Sequence, residues 1–108
     1  MTDREQLAAR IEAAERPTQA LFIEAFKVQF GADPMEPGVG KQYRLFLSDG
    51  AYLDAAMMLA DEPLKGTTLA RLLYGAMMDC IANDGDLRKD LARYIAAAAV
   101  RAGGARWN

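Results

Sequence analysis

Apolar side chains recur at intervals of three and four residues over most of this sequence, which is the spacing of amphipathic helices. A first helix is predicted from about Asp3, with Leu7, Ala8, Ile11 and Ala14 on its apolar face. The clearest helical run contains Leu69, Leu72, Leu73, Ala76, Met77, Cys80 and Ile81. A final helix is predicted to follow the turn Asn83-Asp84-Gly85-Asp86 directly, to face inward with Leu87, Leu91, Tyr94, Ile95, Ala98 and Ala102, and to stop at Gly103-Gly104.

Two further segments have helical spacing. Residues 18–30 are densely apolar and belong near the centre of the fold. Phe22, Phe26 and Phe30 recur every four residues and favour a helix, although Phe26, Val28 and Phe30 also alternate as in a strand, so the last turn stays open. A helix is also predicted from Ala51 to about Asp61.

Between these helices lies the strongest break and the best strand signal. The segment GADPMEPGVGKQ, Gly31 to Gln42, contains two prolines and three glycines, so it is predicted as a long loop. After it, Tyr43, Leu45 and Leu47 alternate with Arg44, Phe46 and Ser48, which predicts a short strand. The expected fold is therefore mainly α: one domain over residues 1–108 with four or five helices, and at most one short strand or hairpin near residues 42–48. The alternative is an α+β fold with a small sheet.

Composition narrows the class of protein. With 52% hydrophobic and 26% charged residues, the chain has enough apolar surface to form a globular core. The net charge of -2 comes from dispersed residues and makes nucleic acid an unlikely partner. Cys80 is the single cysteine, which fits a cytoplasmic protein inside a host cell. The start MTDREQLAAR has no apolar run and no segment approaches the roughly 20 apolar residues of a span, so no membrane association is expected.

The sequence contains no histidine. Histidine-assisted nucleophiles and histidine-ligated zinc are therefore excluded, and one cysteine cannot form a thiolate zinc site. We accordingly predict a protein that is not an enzyme and has no catalytic, metal or cofactor-binding residues.

Two motifs suggest chemistry that other residues argue against. Gly38, Gly40 and Lys41 resemble the end of a phosphate-binding P-loop, but Met35 and Gln42 occupy the places of its first glycine and its serine or threonine, and Lys41 is predicted to lead into a strand. The short turn before the last helix permits a helix-turn-helix DNA-binding regulator, with a basic final helix. Its cationic residues are Arg88, Lys89, Arg93 and Arg101. The acidic turn and the negative net charge argue against that alternative.

Long loops and methionine-rich surfaces commonly bind partners. Met57-Met58 and Met77-Met78 are adjacent pairs on two predicted helices, so Met57 and Met77 are assigned to the core and Met58 and Met78 to a surface. The candidate partner-binding residues are Asp33, Met35, Glu36, Lys41, Arg44, Met58 and Met78.

Three phrases, LAARIEAAERP, YLDAAMMLADEP and LARYIAAAAVRAG, are similar to segments of the phage ABA sandwich domain proteins, small phage and prophage proteins without established activity. The resemblance implies strands after the central segment, where the periodicity predicts a helix over 67–82. It also implies a gene carried by a phage or other mobile element. The expected function is that of an accessory protein that binds a host protein or protein complex, most specifically an inhibitor of a defence system such as CRISPR-Cas. A virion assembly component forming homo-oligomers is the other alternative.

Overall fold

The structure is a computed structural model that describes residues 3–61 and 67–107. This part of the chain contains six α-helices and no strand. In chain order they are α1 (Asp3–Ala13), α2 (Gln19–Phe30), α3 (Lys41–Ser48), α4 (Tyr52–Asp61), α5 (Thr67–Ala82) and α6 (Leu91–Trp107). The helices predicted around residues 3–14, 18–30, 51–61 and 69–81 are confirmed, and Phe30 is the last residue of α2.

α6 is the central helix, since it contacts α1, α2, α4 and α5. Its small side chains allow these helices to approach closely, because alanine adds little bulk between two helix axes. The buried alanines of α6 are Ala92, Ala96, Ala97 and Ala99. The larger side chains of Ile95 and Val100 are also buried. They join Leu7, Ile11, Phe22, Phe26, Leu47 and Leu59 from the surrounding helices in one core.

The predicted strand at residues 42–48, the hairpin and the alternative small sheet are wrong. This segment is the helix α3, in which Tyr43 and Leu47 are buried while Leu45 between them is 48% exposed. Two inward positions four residues apart fit one turn of helix, whereas a strand would place all three side chains on one face. Tyr43 fixes the helix, because its hydroxyl donates a 2.6 Å hydrogen bond to the Phe22 carbonyl oxygen.

The bounds of the last helix also differ from the prediction. α6 begins at Leu91, and residues 83–90 form a longer connection than the predicted turn, so Leu87 is exposed. The helix continues through Gly103-Gly104 to Trp107. The described residues form six helices, against the predicted four or five, because α3 takes the place of the predicted strand.

Gly103 has a packing role that accounts for a glycine inside the helix. A Cβ atom there would overlap the Gln29 side-chain oxygen and lie 2.7 Å from Arg4 Nη1. Gln29 is buried, and its Nε2 donates to the carbonyl oxygens of Leu59 at 3.0 Å and Ala99 at 3.1 Å. The helical donor for Leu59 would be residue 63, a proline without an N–H, so Gln29 supplies the missing hydrogen bond.

Arg4 completes this buried polar contact between α1, α2 and α6. Its guanidinium donates to Gln29 Oε1 at 2.6 Å, to the Val100 carbonyl at 2.9 Å and to the Val28 carbonyl at 2.8 Å. Val28 lies in the last turn of α2, where carbonyl groups lack helical partners. Gly103 thus leaves the space in which Arg4 and Gln29 reach the carbonyls of Val28 and Leu59, in the last turns of α2 and α4.

Candidate binding surface

A groove runs between α4, α5 and the first turns of α6. It encloses about 640 Å³. Apolar side chains from all three helices form most of its lining, with one carboxylate: Leu53, Asp54, Met57, Ala70, Leu73, Tyr74, Met77, Leu91 and Ile95. We call this surface the α4–α5–α6 groove.

The groove exists because α5 packs mainly on α6 and has few neighbours elsewhere. Among its residues with described side chains, only Ala76 and Cys80 are buried. Tyr74, Met78 and Ile81 follow each other at helical spacing and are 64%, 46% and 51% exposed. This stripe continues the apolar surface beyond the groove, and large exposed apolar patches on soluble proteins commonly mark sites of interaction.

Leu53 and Asp54 form the α4 side of the groove, next to each other in the first turn of that helix. Leu53 is 49% exposed. Asp54 is exposed and makes no hydrogen bond or ion pair with any residue in the described ranges. Its place in the first turn is favourable for a carboxylate, because the helix dipole is positive there. As far as the described residues show, the groove therefore combines an apolar lining with one negative charge at its edge.

The pattern of apolar residues in the sequence does not identify this surface. Leu53, Leu73 and Ile81 belong to apolar helical stripes, and such stripes are expected to face a core. Their exposure depends on how α5 is placed against α4 and α6, which the spacing within one helix does not specify. Tyr74 and Met78, one helical turn apart, were the available signal in the sequence. They lie beside the main apolar stripe of α5 and make its apolar face wider than one neighbouring helix can cover.

The candidate residues of the predicted loop lie together on another part of the molecule. Met35, Glu36 and Lys41 are exposed, while Asp33 and Arg44 are half-buried. Asp33 accepts a 2.9 Å hydrogen bond from the Met35 N–H, and its carboxylate lies 3.8 Å from Lys27 Nζ. Arg44 Nη1 donates to the Glu36 carbonyl at 3.0 Å.

This loop is closely packed at its base. Pro34 is fully buried, and a Cβ atom on Gly40 would lie 3.0 Å from both Pro34 Cβ and the Phe26 ring. Gly40 also has a left-handed φ of 59°, which glycine adopts without steric cost. The loop thus presents Met35 and Glu36 on a fixed backbone, and their role in binding stays a prediction.

The phosphate-loop comparison needs one correction. Lys41 is the first residue of α3 and does not lead into a strand, so that objection to a P-loop was wrong. The other objection is unchanged, because Met35 and Gln42 still occupy two required positions. The segment lacks the residues that would make it a nucleotide site.

The methionine pairs divide differently from the prediction. Met57 and Met77 are half-buried and line the groove, and Met57 also packs against the core as predicted. Met58 is half-buried and packs against the core as well, whereas Met78 is exposed on α5. The structure therefore brings Met57, Met77 and Met78 to one side of the molecule, apart from the loop residues.

Two of the four basic residues considered for DNA binding are committed to internal contacts. Arg93 is buried, donates to the Glu12 carbonyl at 2.6 Å and pairs with the Asp90 carboxylate. Arg101 pairs with Glu5 at 3.2 Å and with Glu12. Only Arg88 and Lys89 are exposed, and they precede α6 instead of lying on it. This arrangement does not present a basic recognition helix.

The perturbed titrating groups are associated with these structural contacts. The Asp86 N–H and the Arg93 guanidinium hold the pKa of the Asp90 carboxyl below its ordinary value. Burial raises the pKa of the Cys80 thiol, and burial also raises the pKa of the Tyr43 hydroxyl. Each of these residues packs or hydrogen-bonds within the fold, so the shifts follow from structural contacts.

Within the described residues, no group of three or more acidic or cysteine side chains is arranged to hold a metal ion. The same part of the chain has no helix whose length and apolar character would allow it to span a bilayer. No family model, curated protein or solved structure matches this chain. The similarity to phage ABA sandwich domain proteins accordingly stays a prediction.

Proposed function

We propose that this protein acts by binding another protein, and that the α4–α5–α6 groove is the binding surface. The observation that carries the proposal is the exposure of large apolar side chains around a groove that is itself apolar. Leu53, Tyr74, Met78 and Ile81 are each about half exposed or more. Covering such side chains releases water from apolar surface, which contributes roughly 25 cal/mol for each Å² removed from solvent.

The shape of the groove favours an amphipathic helix as its occupant. Helices of a partner commonly dock into apolar grooves between helices, using side chains spaced at i, i+3 or i+4, and i+7. The α5 wall runs from Ala70 to Met77, which is about 10 Å along the helix axis at a rise of 1.5 Å per residue. Two turns of a partner helix have this length. Met57 and Met77 suit such a role, because methionine adapts its shape to the side chains placed against it.

The biological setting in the proposal is that of a phage or mobile-element accessory protein. Its partner would be a host protein or protein complex in the cytoplasm, and the most specific version is an inhibitor of a defence system such as CRISPR-Cas. This version is supported by the similarity of the three phrases to small phage proteins and by the interpretation of the sequence as that of a protein that is not an enzyme. Binding through the groove does not depend on it.

A matched pair of substitutions tests the binding surface. Leu53 and Leu45 are both helical leucines with nearly equal exposure, 49% and 48%, but only Leu53 lines the groove. Purified wild type, Leu53→Ser and Leu45→Ser proteins would be used to retain proteins from a bacterial host lysate. We expect a partner whose recovery falls at least about tenfold with Leu53→Ser and is unchanged with Leu45→Ser, a loss of about 1.4 kcal/mol. Equal recovery by all three proteins would refute the groove as the binding surface.

The defence-inhibitor version has its own measurement. Expression of this protein in cells carrying an active CRISPR-Cas system should raise the plating efficiency of a targeted phage, and Leu53→Ser should reduce that effect more than Leu45→Ser. No change in plating across the CRISPR-Cas types tested would remove this version. Light scattering that shows a homo-oligomer disrupted by Leu53→Ser would instead favour the assembly alternative.

A further inference from the structure

We infer that the groove selects a cationic amphipathic helix, and that Asp54 is the residue responsible for the selection. This inference rests on the proposed function and adds the chemistry of the partner. Of the described residues that line the groove, Asp54 alone is charged.

Covering a carboxylate with a partner costs free energy, because the charged group loses water. A helix docked on Leu53 and Tyr74 would also remove water from the adjacent Asp54, which has no hydrogen-bond or ion-pair partner among the described residues. Burying an ionised carboxylate without a partner is strongly unfavourable. A partner that supplies a lysine or arginine beside its apolar face avoids this cost, whereas a glutamate at the same place adds like-charge repulsion.

The topology places charges of both signs at one end of the groove. Leu53 in the first turn of α4 and Leu91 at the start of α6 line the same groove, and Gln29 joins Leu59 to Ala99 further along these two helices, so α4 and α6 run in the same direction. The connection from α5 to α6 therefore lies at the Asp54 end. It carries the exposed acids Asp84 and Asp86.

Two exposed cations, Arg88 and Lys89, lie in the same connection and equal these two acids in number. Neither the acids nor the cations are among the described residues that line the groove. Within the described part of the chain, the charge that a docked helix contacts is consequently that of Asp54. A partner suited to this site has three apolar side chains over two helical turns and a basic residue at the flank.

Two synthetic peptides can test the selection directly. Both would be helical, with capped ends and leucines at i, i+4 and i+7, and they would differ only in carrying lysine or glutamate at the positions flanking the apolar face. Fluorescence anisotropy of labelled peptide would give the dissociation constants with wild type, Asp54→Asn and Asp3→Asn. Asp3 is an exposed acid in the first turn of α1 and does not line the groove, so its substitution makes the same change in side chain and net charge at another helix start.

We expect the lysine peptide to bind wild type at least about tenfold more tightly than the glutamate peptide, which is about 1.4 kcal/mol. Asp54→Asn should reduce this ratio to about threefold or less, and Asp3→Asn should leave it unchanged. The preference should also weaken in high salt, since exposed charges are screened.

The remaining outcomes separate the two proposals. If both peptides bind equally and both are weakened by Leu53→Ser, charge selection is refuted while groove binding stands. If neither peptide binds, helix docking in the groove is refuted, and the inference about Asp54 is refuted with it. If Asp54→Asn and Asp3→Asn lower lysine-peptide binding by the same factor, the attraction is due to net charge, and Asp54 has no specific role.

Discussion

α5 and α6 are neighbouring helices of 16 and 17 residues, but they are held in the molecule in different ways. α6 is surrounded by four helices and receives side-chain hydrogen bonds on its backbone from Gln29 and Arg4. α5 packs mainly on α6. Its described polar side chains, Arg71, Tyr74 and Asp79, make no hydrogen bond with the described residues.

The different contacts of α5 and α6 suggest different roles, with α6 important for the stability of the fold and α5 for binding. Polar contacts fix the position of α6 because a displaced helix would leave buried donors and acceptors without partners. Apolar packing fixes α5 on one side only, and its other side remains available. Substitutions around α6 should therefore alter folding, while substitutions on the outer face of α5 and the facing part of α4 should alter binding.

The largest effect is expected at Gln29, where α6 meets α2 and α4. Gln29→Leu removes the donor to the Leu59 and Ala99 carbonyls and the acceptor for Arg4. Leaving buried polar groups unsatisfied costs about 1–3 kcal/mol each, so we expect a loss of roughly 2–4 kcal/mol in the free energy of unfolding. Urea denaturation measures it, with Gln42→Leu on the exposed face of α3 as the control. Similar small changes for both variants would show that the polar contact does not hold α6.

A second effect is expected at Asp90, next to the start of α6. Asp90→Asn removes the charge that pairs with the buried Arg93, and a hydrogen bond between charged groups contributes about 1.5–3 kcal/mol. We therefore expect a loss of about 2 kcal/mol near pH 7, measured by urea denaturation.

The pH dependence has a definite sign. Because the pKa of Asp90 is lowered in the folded protein, its contribution is present above the unfolded pKa and is lost as pH falls through the folded pKa. The difference between wild type and Asp90→Asn should therefore shrink below about pH 4. Glu36→Gln serves as the control for general charge effects. A difference that stays constant down to low pH would contradict the assignment.

Substitution of one glycine in α5 and one in α6 compares how the two helices contribute to stability. Gly75 lies inside α5 with nothing within 4 Å of an added Cβ atom, whereas Gly103 lies inside α6 against Gln29 and Arg4. Gly75→Ala should stabilise the protein by roughly 0.5–1 kcal/mol, because alanine favours the helix. Gly103→Ala should destabilise it by about 1–2 kcal/mol despite the same gain, because it displaces the buried contact. Thermal denaturation gives both signs, and stabilisation by both substitutions would show that the space at Gly103 is not required.

The sequence predicted the helices with strong periodicity and failed where short-range signals were ambiguous. The heptad-like run in α5 specified its helix, but not that Ile81 on this run would be half exposed. Tyr43, Leu45 and Leu47 alternate over too few residues to separate a strand from one and a half helical turns, and the left-handed Gly40 before them has no side-chain cap to signal a helix start. The groove could not be predicted, because it depends on the placement of three helices.

The smallest effect on the free energy of unfolding is expected at Leu53, the groove residue whose substitution should weaken partner binding most. Leu53→Ser and Leu45→Ser should each change the free energy of unfolding by about 0.5 kcal/mol or less, since exposed helical positions contribute little to folding. Urea denaturation of both variants measures this. A loss above about 2 kcal/mol for Leu53→Ser alone would mean that the groove belongs to the core of the fold. Equal and small losses, together with a binding defect confined to Leu53→Ser, would establish that the α4–α5–α6 groove serves recognition and that the contacts around α6 maintain the fold.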